Sequence, residues 1–102
     1  MRYYIVSTTL RNRKDAVELA EKIVKLKLGA CVQISNIKSF YNWKGNLERK
    51  NEFKLDIKTT SKNHKKLGKF ILENHKYDLP EIVVTEFTGY NKYLNRIDEE
   101  LR

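Results

Sequence analysis

The sequence predicts a single α+β domain with the element order β-α-β-β-α-β and an additional helix at the C-terminal end. Four observations support this prediction. Strand-like segments with a two-residue period alternate with segments at helical spacing. A Lys44-Gly45-Asn46 turn divides the longest strand-like region into a hairpin, and 102 residues are enough for one domain. Hydrophobic residues make up 40% of the chain, which is too many for a disordered segment.

The first strand and the first helix are predicted from the N-terminal third. Residues 3–9 are β-branched and aromatic, as is typical of a strand. Apolar residues then recur at helical spacing between residues 15 and 28: Ala16, Leu19, Ala20, Ile23, Val24 and Leu28. Asn12 or Asp15 is positioned to cap the start of this helix, and Gly29 stands where a helix end favours a positive φ.

The central hairpin is unusually long. Its strands on either side of Gly45 together span about thirty residues, whereas a typical strand has about 5–6. The apolar residues change parity along the first strand: Val32 and Ile34 share one face, and Ile37, Tyr41 and Trp43 share the other. This change predicts a bulge or bend near Ser35-Asn36. Two helices cannot cover such a hairpin, so we expect its exposed part to contact another chain.

The second half of the chain completes the predicted order. The returning strand ends in a clean alternation over residues 53–58, and Ser61 is positioned to cap a second helix that runs to about His75. Pro80 closes the next turn, and residues 82–87 form a fourth strand. The stripe of a terminal helix follows: Tyr90, Tyr93, Leu94, Ile97 and Leu101. This order is the ferredoxin-like plan, in which helices cover one face of an antiparallel sheet.

The net charge restricts the range of partners. The chain has 21 Lys and Arg against 13 Asp and Glu, a formal charge of +8. Four lysines cluster at the spacing of an exposed, solvated helix face: Lys62, Lys65, Lys66 and Lys69. We therefore expect only non-specific, salt-sensitive association with nucleic acid.

No apolar run approaches the roughly 20 residues that cross a bilayer, and no signal peptide precedes the first strand, so we expect a cytoplasmic protein with no membrane contact.

The side chains that commonly carry out catalysis are sparse. Cys31 is the only cysteine, which excludes an internal disulfide, and its apolar neighbours indicate a packed core cysteine. His64 and His75 would stand about 16 Å apart on one helix, too far apart to bind one metal ion within a subunit. The chain has no Gly-rich phosphate loop, Ser–His–Asp order or paired-acid signature. We therefore expect no enzymatic activity and disfavour an acylphosphatase-like enzyme on the same fold.

The densest cluster of polar and ionisable residues is His75-Lys76-Tyr77-Asp78-Leu79-Pro80-Glu81, which places an imidazole, a phenol and two carboxylates around a turn. Pro80 can stop the helix, Asp78 can form a hydrogen bond within its own turn and Tyr77 can pack against the protein. The segment is therefore compatible with a purely structural role. From the residues alone, a turn and a binding site remain equally open.

Several motifs together resemble one family across essentially the whole chain. They are Ala30-Cys31-Val32, Ser39-Phe40-Tyr41-Asn42-Trp43-Lys44-Gly45, Glu52 leading to Lys58-Thr59-Thr60, the His75–Glu81 segment continuing into Ile82, and Tyr93-Leu94. In this order they resemble the CutA divalent-ion tolerance proteins. The Tyr-x-Trp-x-Gly hairpin followed by His-x-Tyr-x-x-Pro-Glu is the most specific part.

The resemblance implies a ferredoxin-like homotrimer in which long hairpins extend the sheets of neighbouring subunits. It also implies a link to tolerance of copper and other divalent cations, a structural kinship with the PII signalling proteins, and no established catalytic reaction. The candidate residues fall into three groups: His75 and Glu81 for metal; Tyr41, Trp43, His75 and Tyr77 for a cleft between subunits; and Cys31, Gly45 and Pro80 for structure.

Two departures from the family pattern bear on metal binding. Ser7 stands where some members have a cysteine linked to copper binding, and a hydroxyl is a poor ligand for copper(I). Lys76 stands where proline is common, and it adds positive charge beside His75. We therefore expect only weak binding of copper or another divalent cation. The alternative, a basic ferredoxin-like nucleic-acid-binding domain, lacks the Gly-aromatic pattern on which RNA bases stack.

Overall fold

The computed structural model describes residues 1–102 and confirms the predicted α+β order. The seven elements are β1 (Tyr3–Leu10), α1 (Arg13–Lys25), β2 (Cys31–Trp43), β3 (Asn46–Thr60), α2 (His64–Asn74), β4 (Val83–Phe87) and α3 (Asn91–Glu100). The strands form one sheet in the order β2-β3-β1-β4, with every neighbouring pair antiparallel. Strands β2 and β4 are therefore the two open edges.

The central hairpin extends well beyond the rest of the sheet. Strand β3 pairs with β2 along its length, from Lys58 to Asn46, but its pairing with β1 ends at Phe53. Residues 37–43 and 46–52 consequently form a two-stranded ribbon, which we call the arm. Seven residues of strand span about 23 Å. The arm accounts for the elongated molecule, which measures 45 × 23 × 21 Å.

The bulge predicted near Ser35-Asn36 is absent. Pairing runs without an inserted residue through Ser35↔Lys54 and Asn36↔Phe53, so the bulge is excluded, while the bend that the parity change also predicted stays a prediction. The parity change has another cause, which is a change of neighbour. Val32 packs against the main core, whereas Tyr41 lies on the opposite face and lines a groove formed with the loop after α2. The apolar residues change faces because the start of β2 packs on the main core with one face, whereas the arm borders the groove with the other face.

The main core lies between one face of the sheet and helices α1 and α2. Its nine buried residues are Val6, Leu10, Ala16, Leu19, Ile23, Leu55, Ile57, Leu67 and Ile71. Helix α3 lies on the other face. Lys58 follows the core residue Ile57 and so points away from it, and its ammonium lies 5.5 Å from the ring centroid of Tyr93 in α3. The expectation that the helices cover one face thus holds for α1 and α2 only.

The ends of α1 show one confirmed cap and one wrong assignment. The Asn12 side chain accepts a hydrogen bond from the Asp15 backbone N–H at 2.9 Å, as predicted. At the other end, Lys27 rather than Gly29 has the positive φ, 57°. The bonds from Leu28 N–H to Ile23 O and from Lys27 N–H to Val24 O complete a Schellman motif.

Gly29 serves a steric purpose instead. A Cβ at this position would collide with Cγ2 of Ile57 and lie 3.0 Å from Cγ2 of Ile23, so only glycine lets the chain pass this close to the core. Positive φ values occur in the hairpin turn, at Lys44 (51°) and Gly45 (80°). This pattern is a type I′ turn, which confirms the hairpin turn predicted at Lys44-Gly45-Asn46.

Three further local predictions were wrong. The N-cap of α2 is Asn63, not Ser61; the Ser61 hydroxyl instead accepts a bond from the backbone N–H of Arg2. Helix α2 ends at Asn74 with His75 in an extended conformation, well before Pro80, so the proline does not stop it. Cys31 is only partly buried and lies on the face opposite Val32, so it is not a main-core residue.

Candidate functional site

The largest concave surface is a groove of about 820 Å³ between the arm and the segment that joins α2 to β4, residues 75–82, which we call the 75–82 loop. The arm contributes aromatic and charged side chains: Tyr41, Trp43, Glu48, Lys50 and Glu52. The 75–82 loop contributes Tyr77, Asp78 and Glu81 from the opposite side. Because the groove combines aromatic walls with charges of both signs, it is chemically suited to binding rather than to packing.

Strand pairing explains why these side chains meet on one face of the arm. Tyr41 pairs with Glu48 and Ile37 pairs with Glu52, and paired residues project from the same face. Trp43 is two residues from Tyr41 and therefore shares its face, as predicted. The aromatic side chains at the tip are largely uncovered, with Trp43 53% exposed and Tyr41 38% exposed. The tip consequently offers aromatic surface that this chain does not bury.

His75 holds the 75–82 loop against the end of the sheet. The Tyr77 backbone N–H donates to Nδ1 of His75 at 3.0 Å, so Nδ1 must be the unprotonated nitrogen. Nε2 then carries the proton and donates to the carbonyl oxygen of Thr9 in β1 at 2.9 Å. Burial lowers the pKa of His75, and the bond to Thr9 and the charge of Glu52 offset this only in part. His75 is therefore a neutral side chain with both ring nitrogens in use.

A second contact joins the same loop to the base of the arm. The Tyr77 hydroxyl donates to Oε2 of Glu52 at 2.9 Å, and Glu52 is only 8% exposed. Burial, followed by this hydrogen bond, raises the pKa of Tyr77 to about 12. The Arg11 guanidinium lies 5.8 Å from the centroid of the Tyr77 ring, and its positive charge opposes part of the rise in the Tyr77 pKa. Together, His75 and Tyr77 fix the position of the loop relative to the arm.

The structure brings together most of the predicted site residues within one chain. Tyr41, Trp43, Tyr77 and Glu81 all line the groove. His75 does not; it faces a smaller pocket beside Asp15 and Glu18 of α1. Pro80 lies in the loop, next to the lining residues. Sequence reasoning did not identify Arg11 or Glu52 as site residues, because their partner Tyr77 is distant in sequence and no local pattern marks the contact.

The residues of a single chain do not fit a resident metal ion. His75 can bind a cation only by giving up one of its two hydrogen bonds. No three or more His, Cys, Asp or Glu side chains lie close enough together to hold a metal. Ser7 donates its hydroxyl to Oδ1 of Asp56 at 2.6 Å. The metal role of His75 and Glu81 therefore stays a prediction.

Residues 4–100 match the family model described as CutA1 divalent ion tolerance protein. The chain belongs to this family. Among curated CutA proteins, the chloroplastic protein of Arabidopsis thaliana is 37% identical over 100 residues, covering 96% of this chain but 55% of its own length. The divalent-cation tolerance protein CutA of Archaeoglobus fulgidus is 33% identical over 97 residues, covering 94% of this chain and 92% of its own.

Solved CutA structures share the fold. CutA from Synechococcus elongatus PCC7942 superposes with a TM-score of 0.96 at 29% identity, covering 99% of this chain and 91% of that one. CutA1 from Oryza sativa gives 0.94 at 33% identity, covering 100% and 95%. The CutA relatives of Arabidopsis thaliana and Oryza sativa are described as chloroplastic and that of Archaeoglobus fulgidus as periplasmic, so a cytoplasmic location stays a prediction. No helix of this chain is long and apolar enough to span a membrane.

Proposed function

We propose that this chain acts in divalent-cation tolerance as a homotrimeric binding module without catalytic activity, and that its groove is completed by a neighbouring subunit. The observation that carries the proposal is the arm, which extends beyond the domain with apolar side chains uncovered on both faces: Trp43 on one, and Phe40 and Leu47 on the other. Phe40 is 61% exposed, Trp43 is 53% exposed and Leu47 is 56% exposed. Such a concentration of exposed apolar side chains is typical of an interface.

The open sheet edges support assembly with further copies of the same chain. Strands β2 and β4 lie at opposite edges of one sheet, and each has a row of unpaired backbone groups. An interface between different edges of successive copies is heterologous, and it closes into a ring when the rotation between copies is suitable. The family resemblance implies three copies, which is the smallest such ring that two unlike edges can form.

The chemistry of the groove supports binding rather than catalysis. A pKa of about 12 keeps the Tyr77 phenol protonated and makes it a poor nucleophile or base at neutral pH. Histidine is the residue type most often used for proton transfer, but His75 has both ring nitrogens hydrogen-bonded to backbone groups. The groove volume of about 820 Å³ lies within the range of small-molecule sites. We propose that its occupant is a small ligand, in the manner of the PII-like clefts, or a copper ion or another divalent cation that side chains of a neighbouring subunit help to bind, because one chain alone does not fit a metal ion.

Assembly is tested by light scattering and native mass spectrometry at micromolar concentration, where a trimer is expected for the parent. Trp43→Ala removes a large arm side chain, and truncating a Trp buried at an interface costs about 2 kcal/mol or more, roughly a thirtyfold change in an equilibrium constant. We expect its denaturation midpoint to fall, and to fall further on dilution than that of the parent. Leu72→Ala is the matched control, because Leu72 is 62% exposed on α2, away from the arm. A monomeric parent would contradict the proposal.

The cellular role is tested by growth in raised copper(II) after the gene is deleted and then restored. We expect the parent and Leu72→Ala to restore tolerance, and the double variant Tyr41→Ala with Trp43→Ala to restore it poorly. Equal tolerance with and without the gene, across copper, zinc and cobalt, would contradict the role in divalent-cation tolerance while leaving the assembly unaffected.

A further inference from the structure

The outer face of α2 carries a stripe of positive charge that the proposed function does not use. Lys65, Lys66 and Lys69 lie on one face of α2, Lys62 lies in the turn just before its N-cap Asn63, and all four are exposed. No acidic residue occurs between Lys62 and Glu73. None of these lysines takes part in the ion pairs of the structure, which lie elsewhere. The stripe therefore has no charge partner within the chain.

Comparison with α1 shows that this arrangement is unfavourable for the isolated domain. Helix α1 has Asp15 in its first turn and Lys22 and Lys25 in its last turn, as the helix dipole favours. Helix α2 has no acidic residue in its first turn and no side-chain cap at Asn63. Its lysines begin at the positive end of the helix and repel one another at three- and four-residue spacing. An external anion would remove this repulsion.

We propose that the α2 lysine stripe is a docking surface for the phosphate backbone of a nucleic-acid duplex, bound without sequence preference. Lys65 to Lys69 span about 6 Å of α2 at about 1.5 Å per residue, and Lys62 extends the stripe through the turn before the N-cap. Successive phosphates on one strand of B-DNA are about 3.4 Å apart along the axis, so Lys65 to Lys69 cover about two intervals, which three phosphates bound, and Lys62 can reach a fourth. The regular row of lysine ammonium groups thus faces a regular row of phosphates.

The surroundings of the stripe favour a duplex over the other polyanions. The apolar side chains Leu67 and Ile71 of α2 are fully buried in the core, and Leu72, which is 62% exposed beside the lysines, is a single residue, so α2 lacks the continuous apolar face by which a helix inserts into a lipid surface. The lysine face itself carries no aromatic side chain on which a single-stranded base could stack. An acidic protein partner would have to present carboxylates at the spacing of the lysines. A duplex presents phosphates at a regular spacing along its whole length.

The test compares two variants with the same net charge. One changes Lys62, Lys65, Lys66 and Lys69 to Gln; the control changes four exposed lysines elsewhere: Lys14, Lys22, Lys25 and Lys92. Each lowers the formal charge from +8 to +4. Binding to two unrelated fluorescein-labelled 20-base-pair duplexes is followed by anisotropy as salt is raised, and thermal unfolding confirms that both variants fold.

Four phosphate contacts give a slope of about −3.6 in log affinity against log salt, and so roughly a hundredfold loss between 50 and 200 mM salt. We expect the stripe variant to lose most of this slope and at least tenfold in affinity at 50 mM salt, while the control keeps the parent slope. The two duplexes should bind equally. The inference is overturned if the parent does not bind, if both variants weaken equally, or if phosphatidylserine vesicles or polyglutamate bind the stripe more tightly than the duplex does.

Discussion

The hydroxyl of Tyr77 donates a hydrogen bond of 2.9 Å to the buried carboxylate of Glu52, which joins the 75–82 loop to the base of the arm. The two residues come from separate elements, and Glu52 belongs to the part of β3 that β1 no longer covers. This contact therefore links the position of the loop to the position of the arm, and through both to the shape of the groove.

Tyr77→Phe is expected to lower the free energy of unfolding by about 1.5–3 kcal/mol, because hydrogen bonds to charged groups contribute about that much. Urea denaturation measures the change. Tyr90→Phe is the control: Tyr90 is 70% exposed and its hydroxyl has no hydrogen-bond partner in the chain, so its substitution should have little effect. Combining Tyr77→Phe with Glu52→Gln should cost less than the sum of the two single changes. Additive effects would show that the bond is not energetically coupled.

Stability should fall as the pH drops below about 6.5, and His75 should account for part of this fall. Burial lowers the pKa of His75 in the folded protein, so the unfolded chain, with a pKa near 6.5, binds more protons in this range. Protonation of Nδ1 would also place an N–H against the N–H of Tyr77. The contribution of the neutral ring is therefore fully present above about pH 6.5 and is lost below it.

Denaturation midpoints between pH 5 and 8 provide the measurement. His75→Asn should be less stable than the parent at pH 8 and should show a shallower loss on acidification. His64→Asn is the matched control, since the His64 ring is exposed to solvent on one side and bonds only the Ser61 carbonyl oxygen, at 3.3 Å. Identical pH profiles for the parent and His75→Asn would contradict the assignment.

Two glycine substitutions should change stability in opposite directions. Gly29→Ala places a methyl group against Ile57 and Ile23, and overpacking of a core costs about 1–3 kcal/mol or more. Gly68→Ala meets nothing within 4 Å inside α2, so it should stabilise the protein by about 0.5–1 kcal/mol. Thermal unfolding separates the two. If Gly29→Ala were neutral, the close approach of the chain to Ile57 would not be required.

Copper(I) binding under reducing conditions should be weak in the parent and stronger in Ser7→Cys. The Ser7 hydroxyl is hydrogen-bonded to Asp56, and oxygen is a poor ligand for this soft ion, whereas a thiolate is a good one. Competition with a chromogenic chelator measures the affinity. Cys31→Ser controls for the native thiol and should leave binding unchanged. Tight stoichiometric binding by the parent would refute the prediction.

Local periodicity was sufficient to predict the elements of this fold. The apolar spacing of α1, the Lys44-Gly45 turn and the alternation of residues 53–58 each depend on neighbours within a few positions, and all three were confirmed. The caps were harder, because Ser61 and Asn63 are both good cap residues and only the tertiary position of the chain decides between them. The face that α3 occupies is likewise decided by packing.

The site was predicted in part for the same reason. Tyr41 and Trp43 were assigned to one face by alternation, which is a local property. The two bonds of His75 could not be predicted, since one partner is a backbone oxygen in β1, 66 residues away. The change of parity among the apolar residues was interpreted as a bulge or bend. A sequence shows that an apolar side chain favours burial, but it does not show which segment buries it.

The uninterrupted ladder of β2 and β3 has a consequence for the order in which the chain folds. These strands are joined by a two-residue turn, so their pairing can start at the turn and does not require closure of a long loop. Hairpins of this kind form on the microsecond timescale. Strand β1 can join β3 only after α1 and the whole hairpin have been made, and β4 can join only after β1 is in place. A newly synthesised chain would therefore first form a long two-stranded hairpin with unpaired strand edges. Such an intermediate is prone to pair with another chain and to aggregate.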